Sequence, residues 1–148
     1  MTYEGDLIRP LGLMVLYAAY AEGELDDLIE SISTKEPYGD ERRAWNVGKK
    51  LTLAQRLARA FTENDLSAVA KTVKAGAALF DKRNMLVHGR LFQGGKLLSN
   101  RRATPVQYIS AEEITQLAEE LWAWKEQLWL YRCKMVLPYK SEATESGT

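Results

Sequence analysis

Residues 110–138, SAEEITQLAEELWAWKEQLWLYRCKMVLP, contain both ends of one long helix and the apolar positions that bury it. Ser110 and Glu113 have the spacing of a capping box, which satisfies the free amides at a helix start. Pro138 ends the helix because proline has no amide proton and clashes with the preceding turn. Between these ends, apolar side chains recur at helical spacing, at Leu117, Leu121, Trp124, Leu128, Tyr131 and Met135. The segment predicts a long amphipathic helix.

Two further helices are predicted at the start of the chain. The first runs from about Asp6 to Ser33, and its apolar side chains cover nearly every side, which indicates burial by more than one neighbour. A turn at 37–39, Pro-Tyr-Gly, separates it from a second helix over about Asp40 to Phe61. The apolar excess on the first helix also favours contact with a second subunit.

A third helix is predicted in the middle of the chain, before residues 110–138. Thr62, Asn64 and Asp65 supply capping side chains for its start. It is expected to end near His88, because Gly89 is the favoured residue for the left-handed position just beyond a helix end.

A short hairpin is predicted between the third and fourth helices. Residues 90–93 and 96–99 flank the pair Gly94-Gly95, which favours a tight turn, and extended chain up to Ile109 is compatible with a further strand. The fold class predicted from these elements is all-α, a four-helix antiparallel bundle with a short β-hairpin or loop before the last helix. We find no repeat and no linker, so residues 1–140 are predicted to form a single domain, followed by a polar, weakly ordered tail at 141–148.

Composition places the chain among cytoplasmic globular proteins. The 148 residues are 46% hydrophobic and 27% charged, and Cys133 is the single cysteine, so a disulfide or a thiolate metal site is not expected. The N-terminus lacks the basic opening of a signal peptide. The longest apolar run, Leu11–Ala21, is about half of the roughly 20 residues that span a membrane. No phosphate-cradling glycine loop is present, and we expect no membrane contact, no metal and no cofactor.

Charge is balanced overall but unevenly distributed. Twenty basic and twenty acidic side chains give a net charge of zero, which argues against a nucleic-acid binder held by phosphate contacts alone. Two segments nevertheless contain basic residues and no acid. The first, at 42–62, contains Arg42, Arg43, Lys49, Lys50, Arg56 and Arg59; the second, at 82–109, contains Lys82, Arg83, Arg90, Lys96, Arg101 and Arg102. Together they predict a local anion-attracting surface.

The single histidine, His88, stands in the string RNMLVHG at 83–89. Asn84 and His88 are four residues apart on one helix face, so the amide is placed to orient the imidazole. The negative end of the helix dipole favours the imidazolium form and supports a role in proton transfer. At about 100° per residue, Arg83 falls within an apolar stripe of the third helix formed by Leu66, Val69, Val73, Gly76, Ala77, Phe80 and Val87. A guanidinium there needs an acceptor, either a carboxylate or a ligand phosphate.

These residues alone leave two interpretations open. In the structural one, His88 caps the last carbonyls of the helix and Arg83 pairs with an acid of the first helix, Glu22 or Asp26. In the functional one, Arg83, Asn84 and His88 form a catalytic or binding site.

The string Arg83, Asn84, three further residues and His88 resembles the signature of HEPN domains, helical bundles found in many toxin and defence ribonucleases. The fold resemblance covers about residues 6–137, and the motif six positions. Arg90 stands where one toxin group has a tyrosine, which separates the chain from that group.

The resemblance implies a metal-independent endoribonuclease, a toxin or defence component with Arg83, Asn84 and His88 as catalytic residues. It implies a homodimer that joins two copies of the motif in one cleft, with RNA as substrate and an antitoxin protein as a candidate partner. Cations in and near the motif would contact RNA: Lys82, Arg90, Arg101 and Arg102. The alternative is a non-catalytic HEPN-like module that binds a nucleotide or a protein partner.

Overall fold

The computed structural model describes residues 4–60, 66–91, 95–98 and 105–136. Most of these residues are helical, in α1 (Glu4–Ile32), α2 (Asp40–Arg43), α3 (Val47–Ala60), α4 (Ser67–His88) and α5 (Ala111–Tyr131), which continues into a π-helical turn, Arg132–Val136. Three short strands, β1 (Arg90–Leu91), β2 (Lys96–Leu98) and β3 (Gln107–Tyr108), form an antiparallel sheet in the order β1-β2-β3. The prediction of a mostly helical chain with a hairpin before the last long helix is confirmed.

The two ends of the predicted fourth helix have different outcomes. At its start, the Glu113 amide donates to Ser110 Oγ at 3.1 Å, so the predicted cap is present. Its predicted buried face is confirmed through Leu128. Pro138 and the tail at 141–148 lie outside the described residues. Within the described ranges, no helix combines the length and the apolar content needed to cross a bilayer.

The second predicted helix is interrupted, so its prediction as one element was wrong. α2 ends at Arg43 and α3 begins at Val47. The reason is Asn46, whose side-chain oxygen accepts a hydrogen bond from the Lys49 amide at 3.0 Å and thereby caps a new helix start. Phe61 and the predicted caps Thr62, Asn64 and Asp65 lie outside the described residues.

The chain divides into two compact units. The first contains Met1–Tyr20 and Ala78–Ala123, and thus the sheet; the second contains Ala21–Ala77 and Trp124–Thr148. Each has its own fully buried side chains: Met14, Phe80, Ile114 and Leu121 in the first, and Leu25, Leu28, Ile29, Val69, Val73 and Leu128 in the second. The single domain over 1–140 stays a prediction.

In the second unit, α4 and α5 are joined through Trp124. The indole Nε1 donates to the Thr72 carbonyl at 2.8 Å, and the Thr72 hydroxyl donates to the Tyr131 hydroxyl at 3.4 Å. The ring lies against Gly76, where an added Cβ would be 2.5 Å from Trp124 Cζ2.

We expect Gly76→Ala to lower the free energy of unfolding by about 1–2 kcal/mol. Overpacking a filled core costs about 1–3 kcal/mol, and the better helix propensity of alanine offsets up to about 1. Gly23→Ala is the matched control, because Gly23 is also helical but nothing lies within 4 Å of its added Cβ; it should stabilise by about 0.5–1 kcal/mol. Urea unfolding measures the free energy of unfolding of both variants. An equal increase for Gly76→Ala and Gly23→Ala would contradict the close contact between Gly76 and Trp124.

The second unit also contains a buried cation. Lys50 is 3% exposed, and its Nζ lies 3.0 Å from Asp26 and 3.8 Å from Glu22. The Tyr38 hydroxyl donates to the same Asp26 carboxylate. Burial and this hydrogen bond raise the pKa of Tyr38 above its ordinary value. Glu22 and Asp26, the two acids considered for Arg83, therefore lie beside Lys50.

Candidate functional site

The buried face of α4 changes direction before the motif. Leu66, Val69, Val73, Gly76 and Phe80 are buried as predicted, but Ala77 and Val87 are exposed, and Leu86 is buried instead of Val87. The cause lies in the residues after α4: Leu86 and Leu97 of β2 line one groove, so the sheet covers the Leu86 side of the helix. The predicted stripe was therefore wrong at Ala77 and in its last turn.

Arg83 lies at the border of that face, half-buried, with its guanidinium carbon 5.3 Å from the centroid of the Phe80 ring. Its Nε is buried and has no hydrogen-bond acceptor among the described residues. Within the same part of the chain, none of the ion pairs includes Arg83. No described ion pair joins Arg83 to Glu22 or Asp26. The contact that the structure describes for the guanidinium is a ring face, a weak attraction of about 0.5–1 kcal/mol.

Asn84 and His88 occupy a neighbouring face at the end of α4. Asn84 is half-buried, and His88 is the exposed last residue of the helix. Four residues apart, they share a face, whereas Arg83 is about 140° around the axis from His88. One chain therefore presents its imidazole and its guanidinium on different sides of the helix.

Gly89 follows the motif as predicted, but the reason given for it was wrong. Among the described glycines only Gly95 has a left-handed backbone, with φ of 85°. Gly89 is required by close packing instead, because a Cβ there would lie 2.5 Å from the Met85 carbonyl oxygen and 2.9 Å from Leu97 Cδ1. The lack of a side chain lets β1 leave α4 directly after His88.

The predicted RNA-contacting cations are only partly described. Lys82 and Arg90 are exposed, one on α4 and one on β1. Arg101 and Arg102 lie outside the described residues. Within the described part of the chain, no group of three or more His, Cys, Asp or Glu side chains could hold a metal ion.

A groove of about 410 Å³ in the first unit was not predicted from the sequence. It adjoins the motif through Lys82 but includes none of Arg83, Asn84 and His88. Its lining comes from α4, the sheet and α5: Lys82, Met85, Leu86, Leu97, Gln107, Tyr108, Ile109, Glu113, Gln116, Leu117 and Glu120. The lining residues come from three elements that are distant in sequence, so they have no common spacing. For this reason no sequence pattern indicates the groove.

Comparison with models of known protein families, with curated proteins and with solved structures finds no match to this chain.

Proposed function

We propose that the protein is a HEPN-type, metal-independent endoribonuclease that cleaves RNA at a composite site formed by two copies of Arg83, Asn84 and His88. The observation that supports this most is the state of Arg83. A half-buried guanidinium that no described carboxylate neutralises, with a buried N–H that lacks an acceptor, is suited to bind a phosphate. His88 is exposed at the end of α4, and the His88 of a second copy would reach the same phosphate in a composite cleft.

The proposed reaction is an internal transesterification. A base removes the proton of the ribose 2′-hydroxyl, the 2′-oxygen bonds to the adjacent phosphorus, and the bond from phosphorus to the 5′-oxygen breaks as an acid protonates that oxygen. The products are a 2′,3′-cyclic phosphate and a 5′-hydroxyl. Two His88 side chains would act as base and acid, Arg83 would neutralise the negative phosphorane, and Asn84 would orient the imidazole.

Dimerisation is part of the proposal because one histidine cannot act as base and acid at once, and because Arg83 and His88 lie on different sides of α4. A surface for it exists in the first unit. Ile8, Val15, Leu16 and Tyr20 are exposed on one side of α1, where a soluble monomer would carry polar residues. Trp122 of α5, also exposed, continues this apolar face through ring contacts with Tyr20, 6.1 Å between centroids, and Tyr17, 4.8 Å.

The broader elements of the proposal follow the HEPN resemblance. The four long helices would form one bundle over residues 1–140, the protein would be cytoplasmic, and a toxin or defence role would come with an antitoxin partner. Lys82 and Arg90 would guide RNA to the cleft.

The direct test uses purified protein and a fluorescently labelled single-stranded RNA in the presence of EDTA. Cleavage should proceed without a divalent metal, and mass spectrometry should find a product one water lighter than a linear 3′-phosphate. The same sequence with 2′-deoxyribose throughout is the control and should stay intact, because it lacks the attacking hydroxyl. Cleavage that requires a divalent metal, or that also consumes the deoxy strand, would overturn the mechanism.

Replacing Arg83 with methionine should remove activity without loss of stability. The apolar stem still packs against Phe80, the buried donor that costs about 1–3 kcal/mol disappears, and a ring contact worth about 0.5–1 kcal/mol is lost. The expected free energy of unfolding is therefore equal to that of the parent or about 1 kcal/mol higher. Urea unfolding beside the cleavage assay measures both effects; a loss of several kcal/mol would instead indicate a purely structural arginine.

One observation favours the alternative, a non-catalytic module that binds a nucleotide or protein. The groove of about 410 Å³ lies beside the motif rather than on it, and its lining contains two carboxylates, Glu113 and Glu120, and one cation, Lys82, among apolar and amide side chains. Such a lining is better suited to a basic or apolar peptide than to RNA. Normal cellular behaviour of the His88→Ala protein, together with absent RNA cleavage by the parent, would favour this function.

A further inference from the structure

The corner between α2 and α3, in the second unit, contains cations that no described ion pair neutralises, beside two acids of α2, Asp40 and Glu41. Three cations of the first basic segment are neutralised: Arg42 by Glu36, Arg43 by Glu30 and Lys50 by Asp26. The remaining three, Lys49, Arg56 and Arg59, form no ion pair with a described residue. Arg42 and Arg56 both lower the pKa of Glu36, which places Arg56 within electrostatic reach of the same corner.

Trp45 lies beside cations of this corner, in the break between the two helices. The Arg42 guanidinium carbon and Lys49 Nζ lie 5.6 and 5.9 Å from the centroid of its ring. A groove of about 660 Å³ opens beside it, lined by Trp45, Asn46, Gly48, Lys49, Thr52, Leu53 and Arg56. An aromatic ring, two cations, small polar groups and one leucine form this surface, and none of the described lining residues is an acid.

The interruption of the helix at Asn46 creates this geometry. Asn46 Oδ1 is used by the Lys49 amide, and the Thr52 hydroxyl donates to the Gly48 carbonyl at 3.1 Å, so the backbone at the start of α3 is fixed. Gly48 also lines the groove, and a Cβ there would lie 3.3 Å from Asn46 Oδ1. Lys49 and Arg56, two turns apart along α3, both line the groove.

We propose that this corner binds a nucleotide of single-stranded RNA, with one base stacked on the Trp45 indole and the flanking phosphates on Lys49 and Arg56. Stacking together with spaced cations is how single strands are held without sequence preference. An acidic peptide would use the cations but has no need of an aromatic face. A groove open along its length suits a continuous strand better than a free nucleotide, which proteins usually enclose. This site is separate from the Arg83 and His88 motif and requires no catalysis.

The experiment is fluorescence anisotropy of a short labelled single-stranded RNA with the full chain in the His88→Ala background, so that cleavage does not intervene. Trp45→Leu should weaken binding about tenfold or more, and Trp45→Phe, which keeps a ring, less than about threefold. Lys49→Gln with Arg56→Gln should weaken binding and reduce the slope of log affinity against log salt by about 1.4. Duplex RNA should bind more weakly than the single strand, because its bases are already stacked.

Matched controls come from the same unit. Trp129→Leu removes another exposed tryptophan, and Lys71→Gln with Lys74→Gln removes two exposed cations of α4; both should bind RNA as the background protein does. Equal affinity of Trp45→Leu and the background overturns the proposal. So does a free mononucleotide that binds as tightly as the strand, or a polyglutamate peptide that competes equally with RNA. If RNA binding depends on Trp45 but the parent protein does not cleave RNA, the proposed ribonuclease function is overturned and the Trp45 site is not.

Discussion

Replacing His88 with alanine is expected to slow RNA cleavage by about 10³-fold or more. Proton transfer by a positioned side chain contributes about 10²–10⁴-fold, and in the proposed dimer the variant removes both the base and the acid. The helix should be unaffected, since His88 is exposed at its last position and substitutions at such sites change stability by about 0.5 kcal/mol or less. Initial rates on labelled RNA, with circular dichroism and thermal unfolding, measure the two effects.

Asp81→Asn is the matched control for that variant, because Asp81 is an exposed position of the same helix outside the motif. It should cleave RNA at the parental rate. Mixed dimers with one His88→Ala subunit then separate two arrangements: a shared cleft loses most activity, whereas two independent sites keep about half. A His88→Ala protein that cleaves within about threefold of the parent would remove the histidine from the mechanism altogether.

A helix end that depends on side chains close in sequence could be predicted from the sequence. Ser110 caps α5 as expected, because a capping box depends only on residues three apart. The break before α3 was missed although Asn46 is a good cap, because Asp40–Phe61 was predicted as one helix from the turn at 37–39 that precedes it. The Asn46 side chain accepts a hydrogen bond from a backbone amide and so interrupts the backbone hydrogen bonds of a continuous helix. The spacing of apolar residues does not indicate such an interruption.

The site could be predicted only as far as one helix determines it. The end of α4 at His88 was predicted correctly, whereas Arg83, predicted within the apolar stripe, lies half-buried at its border. The close packing of Gly89 and the covering of Leu86 depend on Leu97, which reaches α4 only when the sheet has formed. Trp45 carried a usable signal, an aromatic residue among cations, but its groove depends on the same break at Asn46.

The apolar face of α1 is the feature of the first unit that its own packing leaves unexplained. Leu16 is 48% exposed and Tyr20 is 52% exposed, one turn apart on the same side of the helix. Burying a leucine against a partner stabilises the complex by about 1.5–3 kcal/mol. Because an isologous dimer uses the same face of both subunits, it buries two copies of each such residue. The same face in a strict monomer would cost solubility without any compensating contact.

Leu16→Glu is therefore expected to convert the proposed dimer to a monomer and to abolish the proposed RNA cleavage with it. Losing two buried leucines and adding two carboxylates to an apolar interface should raise the dissociation constant by about 10³-fold or more. Light scattering at micromolar concentration measures the oligomeric state, and Thr34→Glu, an equal charge change at an exposed position after α1, should remain dimeric and active. The monomer should stay folded, because Leu16 is not part of the buried core. A monomeric Leu16→Glu protein that cleaves RNA at the parental rate would show that one chain holds a complete site, and the composite cleft would be wrong even if His88 is catalytic.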